Sequence, residues 1–190
     1  MGKDFTSALR PAIVMTLLFA ALLGVVYPLT MTGIGQALFP KAANGSLVEQ
    51  NGRVIGSSVV GQAFTSDRYF QTRPSAAGKG YDGLASAGSN LGPASQALSD
   101  RVTADVARRR SEGVTGAIPA DLVTASGSGL DPDLSPAAAL AQVSRVARAR
   151  DLPEARVKAL VEGSIERPIL GEAHVNVLAL NRALDASGGR

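Results

Sequence analysis

The chain has 190 residues, with 19 basic and 16 acidic side chains, one histidine and no cysteine. The lack of thiols excludes disulfides and thiolate metal centres. A net charge of +3 over this length, with no aromatic platforms beside its one basic cluster, is not a nucleic-acid footprint. That cluster, Arg108-Arg109-Arg110, falls at the end of a predicted helix, where cations complement the macrodipole.

No charged side chain stands between Arg10 and Lys41, and the run from Ala12 to Val26 is almost wholly apolar. About 20 residues at 1.5 Å each cross a hydrocarbon core of about 30 Å. The pattern therefore predicts a transmembrane helix over residues 11–34, a short N-terminus over 1–10 and a water-soluble domain over 35–190. The run exceeds the ~7–15-residue apolar region of a cleaved signal, so an uncleaved anchor is expected. Lys3, Arg10 and the terminal amine, set against Asp4, outweigh Lys41 on the far side. The positive-inside bias then keeps the N-terminus cytoplasmic and sends the domain outward, to the periplasm or exterior. Tyr27-Pro28 falls at the expected outer interface, where Pro28 lacks the donor that the Gly24 carbonyl would have used. Ala20 and Gly24 form a small-xxx-small pair. Such a surface fits a member of a larger membrane assembly, which makes Ala20, Gly24, Tyr27 and Pro28 candidate partner contacts.

Beyond Lys41, two β-like runs flank Asn51-Gly52, a strong two-residue hairpin signal. Further strands are expected through Ser58-Val59-Val60 and around Tyr69-Phe70, followed by a Gly/Ser/Ala-rich loop over 71–92. A helix from Pro93 to Gly113 would stack Leu98, Val102 and Val106. A second helix takes Ser135 as N-cap and Pro136 as its first residue, with an apolar stripe of Ala139, Leu140, Val143, Val146 and Ala147, and Arg145 and Arg148 opposite. A third starts from Pro153, and a last one lies near 176–185. Strands first and helices after indicate an α+β fold: one N-terminal transmembrane helix, then one soluble domain with a small antiparallel sheet and three to four helices.

The chemistry-bearing residues are few. His174 has only Glu172 nearby in sequence, no Gly-x-Ser-x-Gly elbow appears, and neither a catalytic nor a metal constellation is expected. Ser126-Gly127-Ser128-Gly129 has the backbone freedom to cradle a phosphate but lacks a P-loop lysine; a turn before a helix accounts for it equally. Asp131 and Asp133 either cap the helix that begins at Ser135 or steer cations toward a pore mouth. The four aromatics beyond Lys41, Phe64, Tyr69, Phe70 and Tyr81, crowd beside Arg68 and Arg73. That composition fits interface anchors at Tyr69, Phe70 and Arg73, or simply the largest core residues available.

Phe70-Gln71-Thr72-Arg73-Pro74-Ser75-Ala76, Ser86-Ala87-Gly88-Ser89-Asn90-Leu91-Gly92-Pro93, the block from Asp121 to Pro132 with Ser135-Pro136-Ala137-Ala138-Ala139, and Val175-Asn176-Val177-Leu178-Ala179-Leu180-Asn181 together resemble the C subunit of the Kdp potassium-transporting ATPase. Leu9-Arg10-Pro11-Ala12, Val26-Tyr27-Pro28-Leu29 and Asn44-Gly45-Ser46-Leu47 fit as well. Thr72 departs where a glycine is common, and Asp133 where a histidine is often found. The resemblance implies a non-catalytic subunit of a high-affinity potassium importer in the bacterial inner membrane. Its partners would be a channel-like potassium-translocating subunit, a P-type ATPase subunit and a small membrane peptide. The family is described as assembling these and, as a catalytic chaperone, raising the ATP affinity of the ATPase subunit. A glutamine after the Ser/Gly loop is implicated, which here is Gln142, with Ser126, Gly127, Ser128 and Gly129 upstream. No cofactor would be tightly bound; ATP would be met through the ATPase subunit, and potassium is the transported ion. The alternative is a cytoplasmic-facing activator that binds nucleotide directly. An outward domain conflicts with direct contact, and Gln142 also sits at the edge of an apolar face, where a buried or interface amide is expected.

Overall fold

The computed structural model describes the backbone of residues 2–188 and the side chains of 6–188, so the extreme ends of the predicted 1–10 and 35–190 regions lie outside it. The chain divides into two compact units, residues 1–47 and 48–190.

In the first unit α1 (Gly2–Ala21) runs through a π-helical turn (Leu22–Val26) into α2 (Tyr27–Leu38), and a short α3 (Pro40–Ala43) follows. The uninterrupted stretch Thr6–Leu38 is long and apolar enough to cross a membrane, and none of it is buried within the chain. Its 33 residues measure about 50 Å at 1.5 Å each. The π-turn has a local cause. Pro28 offers no N–H and its ring would press on the carbonyl one turn back; widening the preceding turn, with the Tyr27 N–H donating to the Leu22 carbonyl, relieves the clash without breaking the helix. The Thr30 hydroxyl adds a bond to the Val26 carbonyl at 2.7 Å.

The predicted hairpin, β1 (Leu47–Gln50) and β2 (Arg53–Ser57), begins at the boundary residue Leu47 and leads the second unit. Asn51 and Gly52 take the positive φ values, 52° and 72°, that a tight two-residue turn requires. The strand expected at 58–60 shrinks to a single bridge, Ser57 to Val60. That expected at Tyr69-Phe70 does not form, for a reason given below. α4 (Gln96–Ser111) starts three residues after Pro93, and a 3-10 turn (Ala120–Leu122) leads to β3 (Asp133–Leu134). Ser135 caps α5 (Pro136–Leu140), its hydroxyl accepting from the Ala138 N–H at 3.2 Å. The single helix expected there breaks at Ala141–Gln142, and α6 (Val143–Arg150) follows. α7 (Glu154–Gly163), β4 (Ile165–Glu166), β5 (His174–Asn176) and α8 (Val177–Ala186) complete the unit.

A second sheet, not anticipated, has the order β3-β5-β4, with β5 antiparallel to both neighbours. Leu134 and Ile165 both stand opposite Val175 and turn toward the core, where they join Phe70, Leu122, Val146, Val157 and Leu180. Asp133, Glu166, His174 and Asn176 occupy the other face, because side chains alternate along a strand.

Candidate functional site

Segment 67–73 has no neighbouring strand: it leaves a turn in which the Tyr69 N–H donates to the Ser66 carbonyl at 3.1 Å, and beyond it side chains supply the bonds a strand would have made. Asn181 on α8 accepts from the Phe70 N–H and donates to the Phe70 carbonyl, both at 2.9 Å. Gln142 does the same for Gln71, accepting at 2.8 Å and donating at 3.1 Å. Two amides thus replace a β-partner, which is why the expected strand at Tyr69-Phe70 is absent. Gln142 also explains the helix break. Its Nε2 donates at 3.3 Å to the Ala138 carbonyl, the acceptor its own N–H would use in a continuous helix, and that N–H bonds to Ala139 instead.

Arginines complete the clamp. Arg145 donates to the Asp67 and Tyr69 carbonyls (2.7 and 3.1 Å) and to Gln142 Oε1 (2.7 Å). Arg150 reaches the Arg68 carbonyl and Asp185, at 2.7 and 2.6 Å, and lies 4.7 Å from the centre of the Tyr69 ring. Arg109, one of the three cations expected at a helix end, is 1% exposed and bonds Gln71 Oε1 and Glu112, both at 2.8 Å. Burial pushes the Arg145 pKa down, while Glu112 and Asp67 oppose the shift. A buried arginine is tolerated only when carbonyls and carboxylates replace its water; the segment's backbone provides the carbonyls for Arg145 and Arg150, and Glu112 and Asp185 provide carboxylates for Arg109 and Arg150.

The candidate anchors therefore separate. Phe70 has no exposed surface and takes the core alternative. Tyr69 is half-buried, packs on Phe64 with ring centres 5.8 Å apart and bonds Asp185 through its hydroxyl at 3.2 Å. Arg73, also half-buried, pairs with Asp131 at 3.0 Å.

The loop Ser126–Gly129 is docked against residues 75–88. Ser128 accepts from Ala87 N–H and Ser86 Oγ, and the Gly129 carbonyl accepts from Ser75 Oγ at 2.6 Å. Gly129 has φ +68°, and a Cβ there would stand 2.6 Å from the Ala77 nitrogen, so glycine is required by the joint itself. The loop bonds to 75–88 and Gln142 to residue 71, so the structure does not draw them into one ligand-facing set. Within the loop, Gly129 N–H donates to Ser126 and Leu130 N–H to Ser128 Oγ. Gln142 is 1% exposed, with both amide atoms engaged.

Neither Asp131 nor Asp133 caps the helix at Ser135. The carboxylate at that end is Asp121, which accepts from the N–H of the cap residue Ser135 at 2.6 Å. Burial resists ionisation of Asp121, but the Ser135 bonds outweigh it and hold its pKa below the usual value. Asp131 faces Arg73 and Asp133 accepts from Asn176 at 2.9 Å, so one of the two carboxylates is already neutralised by a cation. In the first unit Ala20, Gly24, Tyr27 and Pro28 are all exposed, and a Cβ on Gly24 would meet nothing within 4 Å.

Comparison with known proteins settles the family. The model for KdpC, "K+-transporting ATPase, c chain", matches residues 9–186. The chain belongs to the KdpC family. It is 55% identical over 184 residues to the potassium-transporting ATPase KdpC subunit of Caulobacter vibrioides, covering 95% of this chain and 93% of that one. The KdpC subunit of Allorhizobium ampelinum is 53% identical over 186 residues, 96% and 97% of the two chains. That of Gemmatimonas aurantiaca is 55% identical over 183 residues, 94% and 92%. The match runs through the apolar helix and the clamped segment alike. KdpC is an accessory subunit of the potassium-transporting ATPase and not its catalytic chain. In this KdpC, Thr72 is 6% exposed and its hydroxyl donates to the Gln62 carbonyl at 3.1 Å, a bond that a glycine there would lack.

Proposed function

We propose that this KdpC is a single-pass subunit of the bacterial inner membrane that assembles and stabilises a potassium importer, with its N-terminus cytoplasmic and its domain on the periplasmic or outer side. The observation that carries the reading is the helix Thr6–Leu38, uncharged beyond Arg10 and long and apolar enough to cross a membrane, with none of it buried within the chain. Its π-turn, Gly24 and Ala20 allow a partner helix to approach closely, and partner groups can complete the backbone that Pro28 leaves short. The partners are the channel-like subunit, the P-type ATPase subunit and the small membrane peptide. On the domain, Tyr69 and Arg73 present their exposed edges from a segment made rigid by its clamp. An effect on the ATP affinity of the ATPase subunit then passes through the assembly rather than by contact between Gln142 and nucleotide.

The alternative, direct nucleotide binding from the cytoplasmic side, needs an accessible Gln142 and a free Ser/Gly loop, and the bonds described above engage both. The deciding experiment for assembly is co-purification with a chain lacking residues 1–40. The truncated chain is expected to fail to hold the complex together in detergent, and recovery of an intact, active complex would overturn the proposal.

A further inference from the structure

The solvent-side face of the three-stranded sheet brings together a small ionisable cluster. His174, the sole histidine of the sequence, stands on the central strand β5. Its Nε2 lies 4.0 Å from Asp133 Oδ2 on β3 and 3.8 Å from Glu166 Oε2 on β4. On its other side Nδ1 meets the Glu172 carbonyl at 3.1 Å. A carbonyl only accepts, so Nδ1 carries the hydrogen, which makes Nε2 the titrating atom. Neutral, the ring turns a lone pair toward two carboxylates; protonated, it turns an N–H and a positive charge toward them.

Asp133 accepts from Asn176 Nδ2 at 2.9 Å through Oδ1, which leaves its Oδ2 facing His174. Arg73, Asp121, Asp131 and Glu172 line the same cleft of about 220 Å³. Of these, Arg73 pairs with Asp131 at 3.0 Å and Asp121 with the Ser135 N–H at 2.6 Å. β4 is only two residues long and meets β5 in two register pairs, Ile165 with Val175 and Glu166 with His174. Ile165 fastens β4 on its core side, and the facing of Glu166 and His174 is the side-chain contact on the other. The connection from β4 to β5 carries Ile169 and Leu170, which are 102% and 88% exposed.

We propose that His174 is a proton-operated tie: protonated, it draws the carboxylates of β3 and β4 onto β5, and deprotonated, it loosens the β4–β5 hairpin and the Ile169-Leu170 tip it holds. The Glu172 carbonyl raises the His174 pKa above its ordinary value, with Asp133, Glu166 and Asp131 adding and burial opposing. A raised folded-state pKa gives stabilisation that is complete below the unfolded value of about 6.5 and is lost as pH rises through the folded one. On the acid side the tie persists while the carboxylates stay ionised, and burial brings Asp133 closer to that limit by raising its pKa.

The test is hydrogen exchange of the full chain in detergent, corrected for intrinsic rates, between about pH 5.5 and about pH 8. In the parent chain, protection over 165–176 is expected to fall several-fold as pH rises, with α7 unchanged. His174→Gln should be poorly protected throughout, and His174→Lys, a cation at every pH in the range, well protected throughout. Parallel profiles for the parent and His174→Gln, or no pH dependence in the parent, would overturn the proposal. NMR titration of His174 in the parent keeps the test independent of the variants: a midpoint above about 6.5 is expected, and one at or below it refutes the tie.

Discussion

Replacing Gln142 by alanine separates a structural from a nucleotide-binding role for this residue. The substitution strips partners from the N–H and carbonyl of Gln71, a residue 8% exposed, and from the Ala138 carbonyl. Arg145 keeps the Tyr69 carbonyl for the same guanidinium nitrogen. An orphaned buried polar group costs about 1–3 kcal/mol. Taking about 1.5 kcal/mol for each of the two Gln71 groups gives a loss of about 3 kcal/mol, out of a typical total of about 5–15. A unit of about 140 residues has an unfolding entropy near 0.3 kcal/mol/K, so the midpoint should fall by about 10 °C. The assay is thermal unfolding of the full chain in detergent followed by far-UV circular dichroism, with and without millimolar ATP. Ligand at a hundred times its Kd would add about 2.7 kcal/mol, or about 9 °C, and no such upward shift is expected. The reasoning is refuted if Gln142→Ala melts within about 1 °C of the parent, or if ATP raises the parent's midpoint and the substitution abolishes the rise.

Asp121→Asn keeps an acceptor for the Ser135 N–H but removes its charge, and is expected to cost about 1 kcal/mol near neutral pH. Because folding lowers the pKa of Asp121, its contribution is complete above the unfolded value of about 3.9 and disappears as pH falls through the folded one, so unfolding curves of parent and variant should converge in acid. Sidedness is tested by Lys79→Cys in an exposed loop of a chain with no native thiol: a membrane-impermeant maleimide should label intact spheroplasts, and labelling only after lysis would place the domain in the cytoplasm.

The features legible in the sequence are those written in local chemistry. Asn51-Gly52 dictates a turn by its φ requirement, Ser135-Pro136 starts a helix, and an uncharged run from Pro11 to Pro40 makes a long apolar helix, which extends a few residues beyond each predicted end. β3 and β4 are two residues long and β5 three, too short for alternation to register. Tyr69-Phe70 has strand-like composition, but the partner of Phe70 is an amide 111 residues away and that of Gln71 one 71 residues away, a pairing that periodicity cannot reveal. The arginines misled for a related reason. Arg145 sits opposite the apolar stripe, where a charge normally meets water, yet the Asp67 and Tyr69 carbonyls draw it inward. At the candidate site, the sequence points to the Gln142 position and to the crowding of Tyr69, Phe70 and Arg73. It does not show that Asn181, Arg109, Arg145 and Arg150 hold that segment in place.

The clamp also bears on how an accessory chain of this kind would act at a distance. A segment held by side chains from α4, α6 and α8 cannot shift without breaking several buried bonds at once, so it offers partners a surface with little conformational freedom to lose. The proposed influence on ATP affinity then requires only that the assembly containing this chain favour the nucleotide-competent state of the ATPase subunit. Linkage makes such coupling reciprocal: whatever factor the subunit adds to ATP affinity, bound ATP must add to the subunit's own affinity for the complex. A residue such as Gln142 would enter that coupling by keeping segment 67–73 in place. Its loss would lower ATP affinity through weakened docking, and folding and assembly would change together with it.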